Sequence, residues 1–363
     1  MANEKKKRVV IGLSGGVDSS AAAALLLEQG YEVIGITLKM WGQDCINRGE
    51  DKCCGPQAVM DARAICARLA IPYYVIDDSE RFKKEVIEYF ASEYKLGRTP
   101  NPCVVCNEKI KFGTLINSAL QLGAEFVATG HYARVEYSPQ SGRYLLKRGR
   151  DLKKDQSYFL FSLRQEQLAR VVFPLGDLTK EKSRELASKY NLKTARKQES
   201  QEICFVPDGD YARFLSKSGL TAEQKGEIVD LSGKVLGYHQ GVHFFTIGQR
   251  KGIKIPAPKP YYVLDIDAQN NRVIVGDQQN LVSDRLKVER CNWIMFDNPP
   301  DKLEVIAKIR YNHPGAPATV IPQQNGAAEV RFHTPQRAIT PGQACVFFID
   351  DLVAGGGWIA REK

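Results

Sequence analysis

Four short apolar runs, Arg8–Leu13, Tyr31–Leu38, Pro72–Ile76 and Phe126–Thr129, punctuate the first part of the chain. Between them lie stretches with apolar residues every three or four positions, near Ser20–Gln29, Gln57–Leu69, Arg81–Tyr94 and Glu108–Leu122. Short continuous apolar runs suit strands buried on both faces, and the longer periodic stretches suit helices that cover them. The alternation predicts an α/β fold with a parallel sheet between helical layers. Ligands in such sheets bind beyond the carboxyl ends of the strands. Gly12–Ser19, Leu38 and Gly130 fall at those ends, so one crevice is expected to gather them.

Past His131 the pattern changes to a hairpin-like stretch, Val135–Lys147, and then two helices. The second, Thr179–Tyr190, has a threonine positioned as N-cap and Glu181 in its first turn. From Phe205 to about Asp284 the chain is turn-rich with short strands. Its last part reads as all β: Lys287–Phe296, Leu303–Tyr311, Ala318–Ile321, Glu329–His333 and Ala344–Ile349. Three domains are expected, 1–205 (α/β), 206–285 (a small central domain) and 286–363 (a β-barrel).

The first strand empties into Gly12-Leu13-Ser14-Gly15-Gly16-Val17-Asp18-Ser19, directly before a helix. Such a loop aims backbone N–H groups and a helix N-terminus at one spot, a site for phosphate. It lacks the Gly-Lys-Ser/Thr ending associated with γ-phosphate transfer. It resembles the Ser-Gly-Gly-x-Asp-Ser loop (PP-loop) of adenylating ATP pyrophosphatases, which split ATP between its α- and β-phosphates.

The net charge of +9 is unevenly placed. Residues 141–200 hold 15 Lys+Arg against 7 Asp+Glu, and Leu231–Leu264 carries Lys234, Arg250, Lys251, Lys254 and Lys259 with no acid. Basic segments beside a nucleotide site point to a polyanionic substrate; a solvated basic face is the plainer alternative. No apolar stretch approaches the roughly 20 residues that span a bilayer. The polar start, running straight into the first strand, leads us to expect no signal peptide and a cytoplasmic protein. Nine cysteines in that setting favour reactive or metal-binding thiols over a disulfide framework.

Cys103 and Cys106 form a C-x-x-C between two prolines and a helix expected to start near Glu108. The helix dipole, with Lys109 and Lys111, is expected to stabilise a thiolate there. Cys204 follows the basic Lys193–Lys197 stretch. Taken alone, the three leave a structural zinc site, an inert pair and catalysis open. Cys45, Cys53 and Cys54 read as loop thiols, Cys66 as a buried helix position, and Cys291 and Cys345 as core. His131 adjoins the crevice, either ordering a phosphate or simply packed.

The motifs now assemble. The Ser14–Ser19 loop, Gly97-Arg98-Thr99-Pro100-Asn101-Pro102, Cys106-Asn107, Ile110-Lys111-Phe112 and Ala128-Thr129-Gly130-His131-Tyr132 form one set. Asp155-Gln156-Ser157-Tyr158-Phe159-Leu160, Ile203-Cys204-Phe205, Gly248-Gln249-Arg250-Lys251-Gly252 and Thr340-Pro341-Gly342-Gln343 extend it. From about Lys7 to Trp358 the chain closely resembles the tRNA-specific 2-thiouridylase family.

That resemblance implies ATP-dependent thiolation of C2 of the wobble uridine of tRNA. It assigns ATP to Gly12, Leu13, Ser14, Gly15, Gly16, Val17, Asp18, Ser19, Leu38 and Gly130, with Asp18 assisting Mg²⁺. It assigns the target base to Asn101, Pro102 and Cys103, and further tRNA contacts to Lys153, Lys154, Asp155, Arg310 and Tyr311. Cys106 matches the family's nucleophile and Cys204 its persulfide carrier, loaded by a persulfide-donating sulfur carrier or cysteine desulfurase. Position 103 is often an aspartate in the family, and here it is Cys103, so its proton-transfer role is in question. Cys103, Cys106 and Cys204 could instead ligate a [4Fe–4S] cluster with one open iron. The persulfide and cluster routes both stay open at this point. Two rival readings are an adenylating ligase for a small molecule and a non-enzymatic RNA-binding protein.

Overall fold

The computed structural model describes residues 6–40, 55–196, 203–206, 209–221 and 223–361. Cys45, Cys53 and Cys54 lie outside the described residues. The chain forms two compact units: Met1–Val86, Cys103–Pro207 and Asp350–Val353 in one, Ile87–Pro102, Asp208–Ile349 and Ala354–Lys363 in the other.

In the first unit, β1 (Arg8–Gly12), β2 (Glu32–Lys39), β3 (Tyr73–Asp77), β4 (Phe126–Ala128) and β7 (Val171–Val172) make a parallel sheet of order β3-β2-β1-β4-β7. Val9, Val10 and Ile11 are fully buried, which is where β-branched side chains on a central strand belong. Strand order reverses beside β1, whose neighbours are β2 and β4. That reversal opens the crevice in which such sheets bind ligands. Helix α1 (Val17–Glu28) follows β1, and α2 (Pro56–Leu69) connects to β3. Ala21, Ala22, Ala23 and Ala24 of α1 are all buried. Their small side chains let the helix Lys180–Lys189 pack closely on α1. Thr179 caps that helix, its side chain accepting from the Lys182 N–H, as its sequence predicts. A hairpin of β5 (Ala133–Ser138) and β6 (Arg143–Arg148) completes the unit, held by Arg134 to Asp351 at 2.7 Å.

In the second unit, β8 (Gly226–Val229), β9 (Val235–His239), β10 (Tyr262–Asp267) and β11 (Arg272–Gly276) form a small sheet. Ile228, Val263, Ile266, Val273 and Val275 make its core. The remaining strands are β12 (Val282–Trp293), β13 (Leu303–Lys308), β14 (Ala316–Gln323), β15 (Ala327–Arg337), β16 (Ala344–Ile349) and β17 (Leu352–Ile359). Their order is β12-β15-β14-β13-β16-β17, and β12 pairs back to β17, so the expected C-terminal barrel closes. β13 alternates buried and exposed positions, the period of a strand with one face on a core.

Several boundaries differ from expectation. The helical stretch expected from Glu108 begins at Pro102, because proline suits a first helical position as well as it suits a break. It runs through a π-helical turn, Cys106–Lys111, into Phe112–Gln121. The helix Tyr211–Lys217 and the strand β17 were not anticipated, the first being only two turns long and the second glycine-rich. Among the described residues no helix is long and apolar enough to cross a membrane.

Candidate active site

The loop after β1 is tied down before it turns. Leu13 N–H donates to Ile36 O, and Thr37 Oγ1 donates to Leu13 O, both at 2.8 Å. Gly15 then adopts φ +66°, and a Cβ there would lie 2.6 Å from Ala58 O, so the turn admits glycine alone. Ser20 Oγ and Ser19 Oγ donate to Gly16 O at 2.7 and 3.2 Å, while Ser14 N–H donates to Ser19 Oγ at 3.3 Å. Gly16 is the N-cap of α1 and brings no side-chain acceptor, leaving that place for an anion.

A cleft of about 210 Å³ opens beside this loop. Gly12, Leu13, Ser14, Asp18 and Ser19 line it, with Ile36, Leu38 and Met40 from the β2 end and Thr129, Gly130 and His131 after β4. Lys111, Leu115 and Gln156 complete the wall. Gly15, Gly16 and Val17 form the turn between the lining residues Ser14 and Asp18.

Asp18 is not a bare carboxylate. Lys180 Nζ lies 2.6 Å from its Oδ1, and Tyr132 Oη donates to the same oxygen at 2.8 Å. Tyr132 Oη also contacts Ser183 Oγ at 2.9 Å. Lys180 is only 7% exposed, which for a lysine requires a partner. Sequence reading missed it because 162 positions separate the pair. The one available signal was a lysine at the first helical position after a cap.

His131 is both packed and at the wall. It shares a 2.7 Å hydrogen bond between Nδ1 and Thr129 Oγ1, and it meets Phe112 and Phe173 at 5.9 Å each. Burial first, and the Lys111 cation second, hold its pKa well below the usual imidazole range, so the ring is neutral at pH 7.

The cysteines sit in different surroundings. Cys103 is exposed, Cys106 buried and Cys204 half-buried. Although Cys103 as a residue reaches the surface, desolvation around its sulfur raises the thiol pKa above the ordinary value, with Lys111 opposing. The thiolate expected on this C-x-x-C is opposed at Cys103 by desolvation, against which Lys111 acts, while Lys109 is paired with Glu108 at 2.9 Å. Cys106 opens the π-helical turn that ends at Lys111, so its segment borders the cleft. Gln167 Nε2 donates to the Glu108 and Phe112 carbonyls of this region, each at 3.3 Å. The turn Ser79–Phe82 packs on the Cys106–Lys111 segment, and Phe82 meets Phe205, next to Cys204, edge-on at 5.9 Å. Both thiol segments therefore share one neighbour. Among the described residues no three His, Cys, Asp or Glu are grouped to hold a metal, Cys103, Cys106 and Cys204 included. Cys66 and Cys345 are buried as expected, and Cys291 is half-buried.

Of the residues matched to tRNA, Lys153 is exposed, whereas Asp155 accepts from Gly149 N–H, Ser157 N–H and Ser157 Oγ at 3.0–3.1 Å and orders its loop. Lys154 N–H donates to Asp151 O at 2.9 Å. In the second unit, Asn101 and Pro102 are buried. Their segment is held by Gln343 Nε2, which donates to Thr99 O and Pro100 O at 3.0 and 3.1 Å. Arg310 is exposed, and Lys308 Nζ lies 5.7 Å from the ring centre of Tyr311.

A phosphate-type loop at the reversal point of a parallel sheet defines a nucleotide-binding α/β enzyme. Family models place it further: "tRNA methyl transferase HUP domain" matches residues 7–208, "tRNA methyl transferase PRC-barrel domain" residues 213–277, and "Aminomethyltransferase beta-barrel domain" residues 283–359. The tRNA-specific 2-thiouridylase MnmA of Carboxydothermus hydrogenoformans is 51% identical over 98% of this chain and 98% of its own. Those of Geotalea uraniireducens and Moorella thermoacetica are each 51% identical, over 98% and 96% of this chain and 96% and 98% of theirs. The chain belongs to the tRNA-specific 2-thiouridylase family.

Proposed function

We propose that this enzyme thiolates C2 of the wobble uridine of tRNA, spending ATP to activate the C2 oxygen and drawing sulfur from a cysteine persulfide. The observation that carries the reading is the Cys106–Lys111 turn: its last residue lines the cleft beside the Gly12–Ser19 loop. A nucleotide in that cleft and a thiol on the same turn are the two parts the reaction needs.

The uracil oxygen attacks the α-phosphorus of ATP, the α–β bridging bond breaks, and pyrophosphate leaves. The oxygen thereby becomes part of AMP, a competent leaving group. The amides at the start of α1 and the Lys111 cation favour the negative charge that accumulates on phosphate. Asp18, the carboxylate that lines the cleft, would hold Mg²⁺, which would neutralise phosphate charge. The terminal sulfur of a Cys204 persulfide then attacks C2, and AMP departs. Cys106 thiolate attacks Cys204 Sγ, the S–S bond breaks, and its electron pair stays on the uridine sulfur as the thiocarbonyl. A Cys106–Cys204 disulfide remains, its formation balancing the two-electron reduction of the transferred sulfur, and an external thiol must reduce it before the next turnover. A sulfur carrier or cysteine desulfurase would reload Cys204. Cluster-bound sulfide would need three gathered thiolates, a grouping not found among the described residues.

The deciding experiment incubates unmodified tRNA with ATP, a persulfide donor and the protein, then analyses nucleosides. 2-Thiouridine should form, and Cys106→Ala or Cys204→Ala should abolish it. Thiolation surviving both substitutions overturns the proposal. ATP-dependent adenylation of a small molecule without tRNA would favour a ligase instead.

A further inference from the structure

We infer that Lys180 is a positioning residue for the nucleotide site, acting through Asp18: it fixes the Asp18 carboxylate and cancels its charge so that polyphosphate can lie beside it. The inference rests on the reading of the cleft as an ATP site. Asp18 lines the cleft, while Lys180 is not among the lining residues and lies behind it. Its ammonium and the Tyr132 hydroxyl both engage Oδ1, at 2.6 and 2.8 Å. Two donors on one oxygen fix the plane of the carboxylate and leave its other oxygen as the one available to a ligand.

The lysine is itself held in place. Thr179 caps its helix, Asp151 Oδ2 accepts from the Lys180 backbone N–H at 3.2 Å, and its Nζ lies 5.7 Å from the centre of the Tyr132 ring. Packing of that helix on the alanines of α1 sets its depth. A lone carboxylate beside a triphosphate would repel it, whereas an Asp–Lys pair carries no net charge. The pair thus lets a Mg²⁺-coordinating carboxylate stand in a phosphate site when no cation is bound.

The test is a double-mutant cycle on equilibrium binding of α,β-methylene-ATP, measured with excess EDTA and again with Mg²⁺. Lys180→Met should weaken EDTA-condition binding at least about tenfold, the effect of an uncompensated charge near phosphate in a partly buried site. Mg²⁺ should recover most of that loss. In an Asp18→Asn background the same substitution should change binding less than about threefold, because no carboxylate charge remains to compensate. Equal weakening in both backgrounds would mean that Lys180 touches phosphate directly, and it would overturn the inference. So would a lowered melting temperature with unchanged binding, the mark of a structural role. Should Lys180→Met fail to fold, Tyr132→Phe serves instead. Its loss of binding must also vanish in the Asp18→Asn background, and persistence there counts against the idea. Wild-type protein that binds no adenine nucleotide in either condition would defeat the ATP reading itself, a separate result.

Discussion

Gly130 approaches the first turn of α1 so closely that a Cβ on it would lie 2.7 Å from the Ser19 backbone nitrogen and 2.8 Å from the Asp18 carbonyl carbon. The end of β4 and the start of α1 can converge only because position 130 lacks a side chain. Gly130→Ala must therefore push the two apart, at about 1–3 kcal/mol for an overpacked site. Nucleotide affinity should fall further than global stability. Paired thermal melts and nucleotide titrations check this; unchanged affinity would show that the cleft does not need the convergence.

Lys111 acts electrostatically on two groups at once, lowering the pKa of His131 and of Cys103. Lys111→Met should raise both. NMR titration of the His131 ring should show its midpoint moving toward 6.5, and site-resolved alkylation should show Cys103 reacting more slowly at a given pH. A Cys103 that reacts faster in the variant would contradict this account.

His239, His243 and His313 of the second unit are buried, and burial lowers each pKa from 6.5, against a raising contribution from Asn271, Glu223 and Gln336 respectively. Once pH falls below 6.5 the unfolded chain binds protons that the folded chain refuses, so stability drops as pH falls. The loss continues until the lowered folded-state values are passed. Denaturant midpoints between pH 5 and 8 should therefore decline on the acid side, and His313→Gln should shallow that decline.

Lys153 and Arg310 are exposed, and their charges contribute little to folding. Alanine at either should leave the melting temperature nearly unchanged. If they meet tRNA phosphates, each substitution should weaken tRNA binding and lower the slope of log affinity against log salt by about 1. A salt slope identical to wild type would remove that residue from the RNA surface.

What the sequence by itself determined is local. Val9-Val10-Ile11 must be a buried strand, and the glycines that follow it must make a turn. Ser14–Ser19 must therefore lead from strand to helix, and the alternation in the last third must make strands. These follow from sterics and from periods of two and 3.6 residues, which act between near neighbours. The family resemblance was legible for the same reason, since its motifs are short and contiguous.

Tertiary structure alone decided the rest. Lys180 meets Asp18 because two helices distant in sequence pack through alanines, and no local pattern records which residues a packed helix will place opposite each other. The Cys103 thiol rises in pKa rather than falling because desolvation depends on every segment folded around the sulfur, whereas the lysines that seemed to favour a thiolate were visible beside it in the chain. Charge and helix position can be read along a sequence; solvation is a property of the surrounding volume.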